Sequence, residues 1–89
     1  MLQRDVIIEN KLGMHLRAAA VFIEAANKFS CSVYLRKGER SVNAKSIMGL
    51  MTLAATYGSQ VTILTEGDDE ADALEALAAL VKNRFGEKE

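Results

Sequence analysis

The chain has no proline, one cysteine, one histidine and a net charge of only -1, and each of these scarcities closes something off. With Cys31 alone, neither an internal disulfide framework nor a cysteine-built metal site can form. Cys31 therefore reads as a small apolar residue of a strand or its edge. Eleven basic residues against twelve acidic ones give no broad electrostatic footprint for nucleic acid or an anionic membrane. Any anion the protein handles must be bound locally. A single imidazole leaves only carboxylates to complete a metal site, so neither a metal nor a cofactor is expected. No apolar run approaches the ~18 residues of a membrane span, and the opening "MLQRDVIIENK" lacks the basic-then-apolar pattern of a secretion signal. The expected location is the cytoplasm.

What is present describes an ordinary soluble domain: 89 residues, 49% hydrophobic and 26% charged, without biased tracts. Residues 1–89 are read as one domain, because a chain of this length has no room for a second core. Such a chain buries somewhat over ~60% of the surface its unfolded form exposes, which disfavours a deep pocket. Without proline, glycines at 13, 38, 49, 58, 67 and 86 punctuate the elements.

Leu2 to Glu9, with Val6, Ile7 and Ile8, reads as a strand. Leu16 to Lys28 reads as a helix whose Ala19, Phe22, Ile23 and Ala26, followed by Phe29, recur at 3.6-residue spacing as a core stripe. Its opposite face carries Arg17, Glu24 and Asn27 with Ala20 and Val21 between them. Small and apolar residues there fit either a docking surface or plain helix propensity. "SVYLR" (32–36) alternates Val33 and Leu35 with polar residues, and "RKGE" turns it into a short strand at Arg40 to Asn43, a hairpin. Ser46 reads as the N-cap of a short helix carrying Ile47, Met48, Leu50 and Met51; Gly49 inside it costs about 1 kcal/mol of propensity and keeps it short. Gln60 to Glu66 is the clearest strand. Glu70 to Phe85 reads as an amphipathic helix capped by Asp68 or Asp69, with Leu74, Leu77, Ala78, Val81 and Phe85 buried.

The order strand, helix, strand, strand, short helix, strand, long helix points to an α+β fold: an antiparallel sheet with helices on its inner face and the last strand inserted between the first two.

The lone histidine sits in "GMHLRAAA", at or beside the N-cap of the first helix, where the leading backbone N–H groups have no intrahelical acceptor. That helix end favours an anion and disfavours a charged imidazolium, so it suits a neutral, nucleophilic ring that receives a phosphoryl group. Arg17 offers a planar cationic fork to phosphate oxygens, and Gly13 permits a close approach. Such an open site suits phosphoryl relay between proteins better than chemistry on a sequestered small molecule. A lone histidine at a helix start also has a simpler reading, as a capping or surface residue.

"GMHLRAAA", "VNAKSIMGLMTLAA" and "GSQVTILTEGDDEADALEAL", at these separations, resemble the HPr phosphocarrier family of the bacterial phosphoenolpyruvate-dependent phosphotransferase system over essentially the whole chain. The family's site runs roughly G-[LIM]-H-A-R-P-A and its second motif N-x-K-S-[IL]-[ML]-G-[VLI]-[ML]. The resemblance implies an HPr-like open-faced β-sandwich, four antiparallel strands covered on one face by three helices (βαββαβα). It implies that His15 takes a phosphoryl group on Nδ1 from phosphorylated Enzyme I and passes it to the IIA domains of sugar permeases, with Arg17 steadying the phosphate. It also implies docking through the first helix and the short one, for which Leu16, Ala20, Glu24, Asn27, Ile47, Met48 and Met51 are the candidate contacts. For Ile47, Met48 and Met51 the competing reading is core packing; the expectation is that Leu50 and Leu53 are buried and these three at least partly exposed. Ser46 is either a plain N-cap or, in addition, the site where an HPr kinase/phosphorylase places a regulatory phosphate. A monomer is expected.

Two positions depart from the family pattern. Leu16 stands where a small residue is usual, and Ala18 where proline is usual. Alanine keeps the helix start but adds a donor; the changes bear on partner choice more than on chemistry, since both reacting residues remain. They motivate a rival reading as a regulatory paralogue that signals nitrogen or carbon status. A second rival is an interaction module that is not phosphorylated. As a carrier the protein would be an intermediate in phosphoryl transfer and not an independent enzyme, and no acid/base pair or pocket motif suggests one.

Overall fold

The most β-branched stretch of the chain, QVTILTE, lies inside the sheet with a partner on either side. In the computed structural model, which describes residues 1–89, the elements run β1 (Leu2–Ile7), α1 (Leu16–Ala26), β2 (Ser32–Lys37), β3 (Arg40–Asn43), α2 (Ile47–Leu53), β4 (Gln60–Glu66) and α3 (Glu70–Lys82), followed by a short 3-10 turn at Arg84–Gly86. The sheet order is β1-β4-β2-β3, all antiparallel. The last strand therefore enters between the first two, as the order of elements suggested. Flanked on both sides, Val61 to Thr65 are all buried. Ile63 faces Arg4 and Leu35, whereas Thr62 faces Asp5 and Arg36, which cover it on the outer face; Thr62 Oγ1 donates to Asp5 Oδ1 at 2.6 Å.

All three helices pack on the inner face: α3 over β1 and β4, α2 over β2 and β3, and α1 against both helices. One core joins them, built around Phe22, Ile8, Leu35, Leu50, Ile63 and Leu77. The stripe Leu74, Leu77, Ala78, Val81 and Phe85 is buried as its spacing implied, and so are Ala19, Phe22 and Ala26 of α1. Cys31 is buried immediately before β2. Gly49 is explained by close packing: a Cβ there would stand 3.0 Å from the Asn43 carbonyl oxygen, so the helix gives up propensity to lie close to β3.

Four boundaries differ from the sequence expectation, the smallest being β2, which runs on to Lys37 and not Arg36 because Lys37 still pairs with Arg40 across the hairpin. The first strand stops at Ile7, not Glu9, because β4 begins only at Gln60; beyond it Ile8 pairs with the Gly58–Ser59 turn, donating to Ser59 O and accepting from Gly58 N. The first helix stops at Ala26, not Lys28, since Lys28 and Phe29 bond to Ala25 and Ala26 in tightened three-residue turns. The last helix stops at Lys82, not Phe85, because Arg84 and Phe85 turn to φ 57° and 55°. That reversal still buries Phe85 and redirects the chain's end toward the start of α1.

Candidate functional site

Short-range contacts hold the loop before α1. Gly13 has φ +69°, and a Cβ on it would come within 2.8 Å of the Ala55 carbonyl oxygen, so a side chain is excluded on both conformational and steric grounds. Met14 N–H donates to that same carbonyl at 2.8 Å. Asn10, fully buried, donates from Nδ2 to the Gly13 carbonyl at 2.7 Å. With the loop pinned at both ends, His15 takes the N-cap position of α1 in extended conformation, and its carbonyl accepts the first helical bond from Ala19. The helix starts at Leu16 although alanine, not proline, occupies position 18.

The expectation that the ring lies against the leading amides needs correction. His15 makes no side-chain cap bond. Instead, Nε2 lies 2.5 Å from Oε2 of Glu87, in the C-terminal tail that the Phe85 reversal delivers. The leading amides of α1 are left without an intrahelical acceptor and remain an anion-binding feature of this helix end. The ring sits at the helix mouth, with 27% of its side-chain surface exposed against 19% for Glu87.

Glu87 is the point on which the local groups converge. Asn10 Nδ2 donates to its Oε1 at 3.1 Å. Because both Asn10 partners are acceptors, they fix the orientation of the amide, and its Oδ1 has no partner. Burial opposes the negative charge on Glu87, but the hydrogen bonds from Asn10 and His15 and the nearby charge of Arg17 outweigh it, holding the carboxyl below the usual range. Arg17 is exposed and lines, with Lys11, Leu12, Glu87, Lys88 and Glu89, an open depression of ≈ 450 Å³. Lys11, Arg17 and Lys88 meet Glu87 and Glu89 around this depression, Lys11 pairing with Glu89 at 3.9 Å, so Arg17 offers a local cation in a setting of mixed charge. No three of the chain's His, Cys, Asp and Glu side chains gather as a metal ion would require.

Leu16, Ala20, Glu24 and Asn27 fall along one side of α1 and are all exposed, Leu16 at 65%. On α2, Met48 is 71% exposed, Ile47 and Met51 are half-buried against the core, and Leu50 and Leu53 are buried. Both readings of the short helix therefore hold in part: Met48 faces solvent, while Ile47 and Met51 serve the core and show an edge. Ser46 is the N-cap of α2, its Oγ accepting from Gly49 N–H at 3.2 Å.

Comparison with known proteins decides the family. The model described as "PTS HPr component phosphorylation site" matches residues 2–83. The chain belongs to the HPr family. It is 54% identical to the phosphocarrier protein HPr of Cupriavidus necator, over the full length of both chains. It is also 49% identical to the HPr-like protein Crh of Bacillus subtilis over 82 residues, 92% of this chain and 96% of that one. Among solved structures, HPr-C-His from Thermoanaerobacter tengcongensis superposes with a TM-score of 0.96 at 44% identity, covering all of both chains. The HPr fold, a four-stranded open sheet under three helices, is therefore that of this chain.

Within this HPr-family site, sequence patterns pointed to His15, Arg17 and Ser46 but to neither Asn10 nor Glu87. For Asn10 the local signal reaches only to a turn, since asparagine and glycine both favour one; the turn is closed by backbone, Gly13 N–H donating to the Asn10 carbonyl, and the side chain's role in it is not written in the sequence. For Glu87 there is no signal, since it meets His15 across 72 positions. No helix of the chain is long and apolar enough to cross a membrane.

Proposed function

We propose that the protein is a phosphocarrier of the phosphotransferase system: His15 takes a phosphoryl group on Nδ1 from phosphorylated Enzyme I in the cytoplasm and delivers it to IIA domains of sugar permeases. The observation that carries this reading is the placement of a partly exposed imidazole at the N-cap of α1, beside unpaired amides and the Arg17 depression. Amides and guanidinium bind the phosphoryl oxygens, while the absence of an enclosing cavity lets two different protein partners reach the same nitrogen. Leu16, Ala20, Glu24 and Asn27 of α1, with Ile47, Met48 and Met51 of α2, form the docking face, where flexible methionines adapt to more than one partner. A phosphate on Ser46, placed by an HPr kinase/phosphorylase, adds negative charge to that face and weakens docking to Enzyme I.

The test is incubation with Enzyme I and phosphoenolpyruvate. One phosphate per chain, stable in base and labile in acid, is expected on the wild type and none on His15→Ala; labelling of both, or of neither, rejects the reading. Subsequent transfer to a sugar-type IIA domain separates the carrier from a regulatory paralogue, a second reading favoured by the similarity to Crh. Similar solved chains include an HPr dimer from Thermoanaerobacter tengcongensis and a domain-swapped Crh dimer, so sedimentation at working concentration checks the monomer proposed for this chain.

A further inference from the structure

We propose that Glu87 is a positioning residue for His15: its carboxylate holds the proton on Nε2 and so leaves Nδ1 as the nucleophilic nitrogen. The inference rests on the carrier reading and deepens it. A neutral imidazole has one donor and one acceptor nitrogen, and an ionised carboxylate only accepts. A carboxylate oxygen 2.5 Å from Nε2 therefore places the proton there and the lone pair on Nδ1. The carboxylate is itself held, since fully buried Asn10 donates to its other oxygen. Its partly buried setting makes the contact firmer than a surface ion pair, which solvent would screen.

The chemistry gives the contact a second consequence. As the Nδ1 lone pair forms its bond to phosphorus, the bond from phosphorus to the donor's leaving atom breaks, and that electron pair stays with the donor. The ring, now bonded at both nitrogens, carries a positive charge. Glu87 faces that charge at Nε2–H and stabilises it as it develops, the part a buried carboxylate plays behind a catalytic histidine. On delivery the electron pair of the N–P bond returns to Nδ1 and the ring is neutral again. Glu87 touches neither phosphorus nor partner and acts through the ring alone.

The experiment compares wild type, Glu87→Ala and Glu87→Gln as full chains, above neutral pH. Long-range proton–nitrogen correlation spectra of the imidazole read the tautomer, and labelling by Enzyme I with phosphoenolpyruvate reads the rate. The wild type is expected to show the Nε2–H form alone. Glu87→Ala is expected to show a mixture of tautomers and to label about tenfold more slowly, the usual scale for losing an orienting partner. Glu87→Gln keeps an oxygen acceptor without the charge, so it retains the tautomer and labels at an intermediate rate. A tautomer mixture in the wild type, wild-type nitrogen shifts in Glu87→Ala, or an altered tautomer with an unaltered rate overturns the proposal. If the wild type takes up no phosphate, the carrier reading falls, while the nitrogen shifts still report whether Glu87 sets the tautomer.

Discussion

The ring of Phe85 meets the ring of Phe22 edge-on, with centroids 6.4 Å apart and planes inclined by 64°. This contact ties the end of the chain to the middle of α1, and two consecutive residues at positive φ, Arg84 and Phe85, are held in place by it. Each such residue costs on the order of 1 to 2 kcal/mol, so the reversal exists only because burying Phe85 outweighs it. Phe85→Ala is expected to destabilise the fold by about 3 to 5 kcal/mol and to release Glu87 from His15. Phe85→Leu, which keeps most of the volume, loses less. Urea unfolding with the imidazole nitrogen spectrum checks both effects in one sample.

Gly13→Ala is expected to be costly for two reasons that add. The new side chain would sit at φ +69° and 2.8 Å from the Ala55 carbonyl oxygen. A loss of about 2 kcal/mol or more follows from the strained backbone and the displaced carbonyl. Because that carbonyl also accepts from Met14 N–H, the loop carrying His15 shifts too, and phosphorylation slows. Denaturant titration and the labelling rate measure the two parts.

Ser46→Ala removes the acceptor for Gly49 N–H and is expected to cost about 1 kcal/mol. Ser46→Asp keeps an acceptor at the cap while adding charge. Equal stability of wild type and Ser46→Asp, with weaker binding of Ser46→Asp to Enzyme I, separates the capping role from the regulatory one; equal binding removes the regulatory one. Calorimetry supplies both quantities.

Ala54, which ends α2, lies at φ 56° in the left-handed region. Glycine adopts that conformation without a Cβ penalty, although it also gains entropy in the unfolded chain. Ala54→Gly is expected to stabilise the protein by about 0.5 kcal/mol. A higher urea midpoint with an unchanged slope is the sign to look for.

Acid should loosen the site in a defined direction. Glu87 titrates below the ordinary carboxylate value in the folded protein, held there by Asn10, His15 and Arg17 against the opposing effect of burial. A depressed folded value means that its contribution is fully present above the unfolded value, about 4.3 for glutamate, and is lost as pH falls through the folded one. Urea midpoints measured from about pH 6 to about pH 3 should therefore fall more steeply for wild type than for Glu87→Gln. Parallel curves would show that Glu87 contributes nothing.

Much of this molecule is set by neighbours in the chain. The α1 stripe, the Ser46 cap, the β2–β3 hairpin and the β-branched β4 each follow from side chains a few residues apart, where periodicity and capping act directly. His15 at a helix start, with Arg17 after it, is legible for the same reason. The ends of elements are less so: β1 stops where its partner strand begins, and α3 stops where Phe85 finds Phe22.

The partner of the imidazole was decided by tertiary structure alone. Nothing near position 15 announces a carboxylate, and nothing near position 87 announces a histidine; α3 packing on the sheet and the Phe85 reversal bring them together across 72 residues. Local rules fix which side chains a segment buries or exposes, because those choices depend on spacing along one element. Which distant polar group meets an exposed nitrogen depends on where separate elements end in space, and only the assembled core determines that.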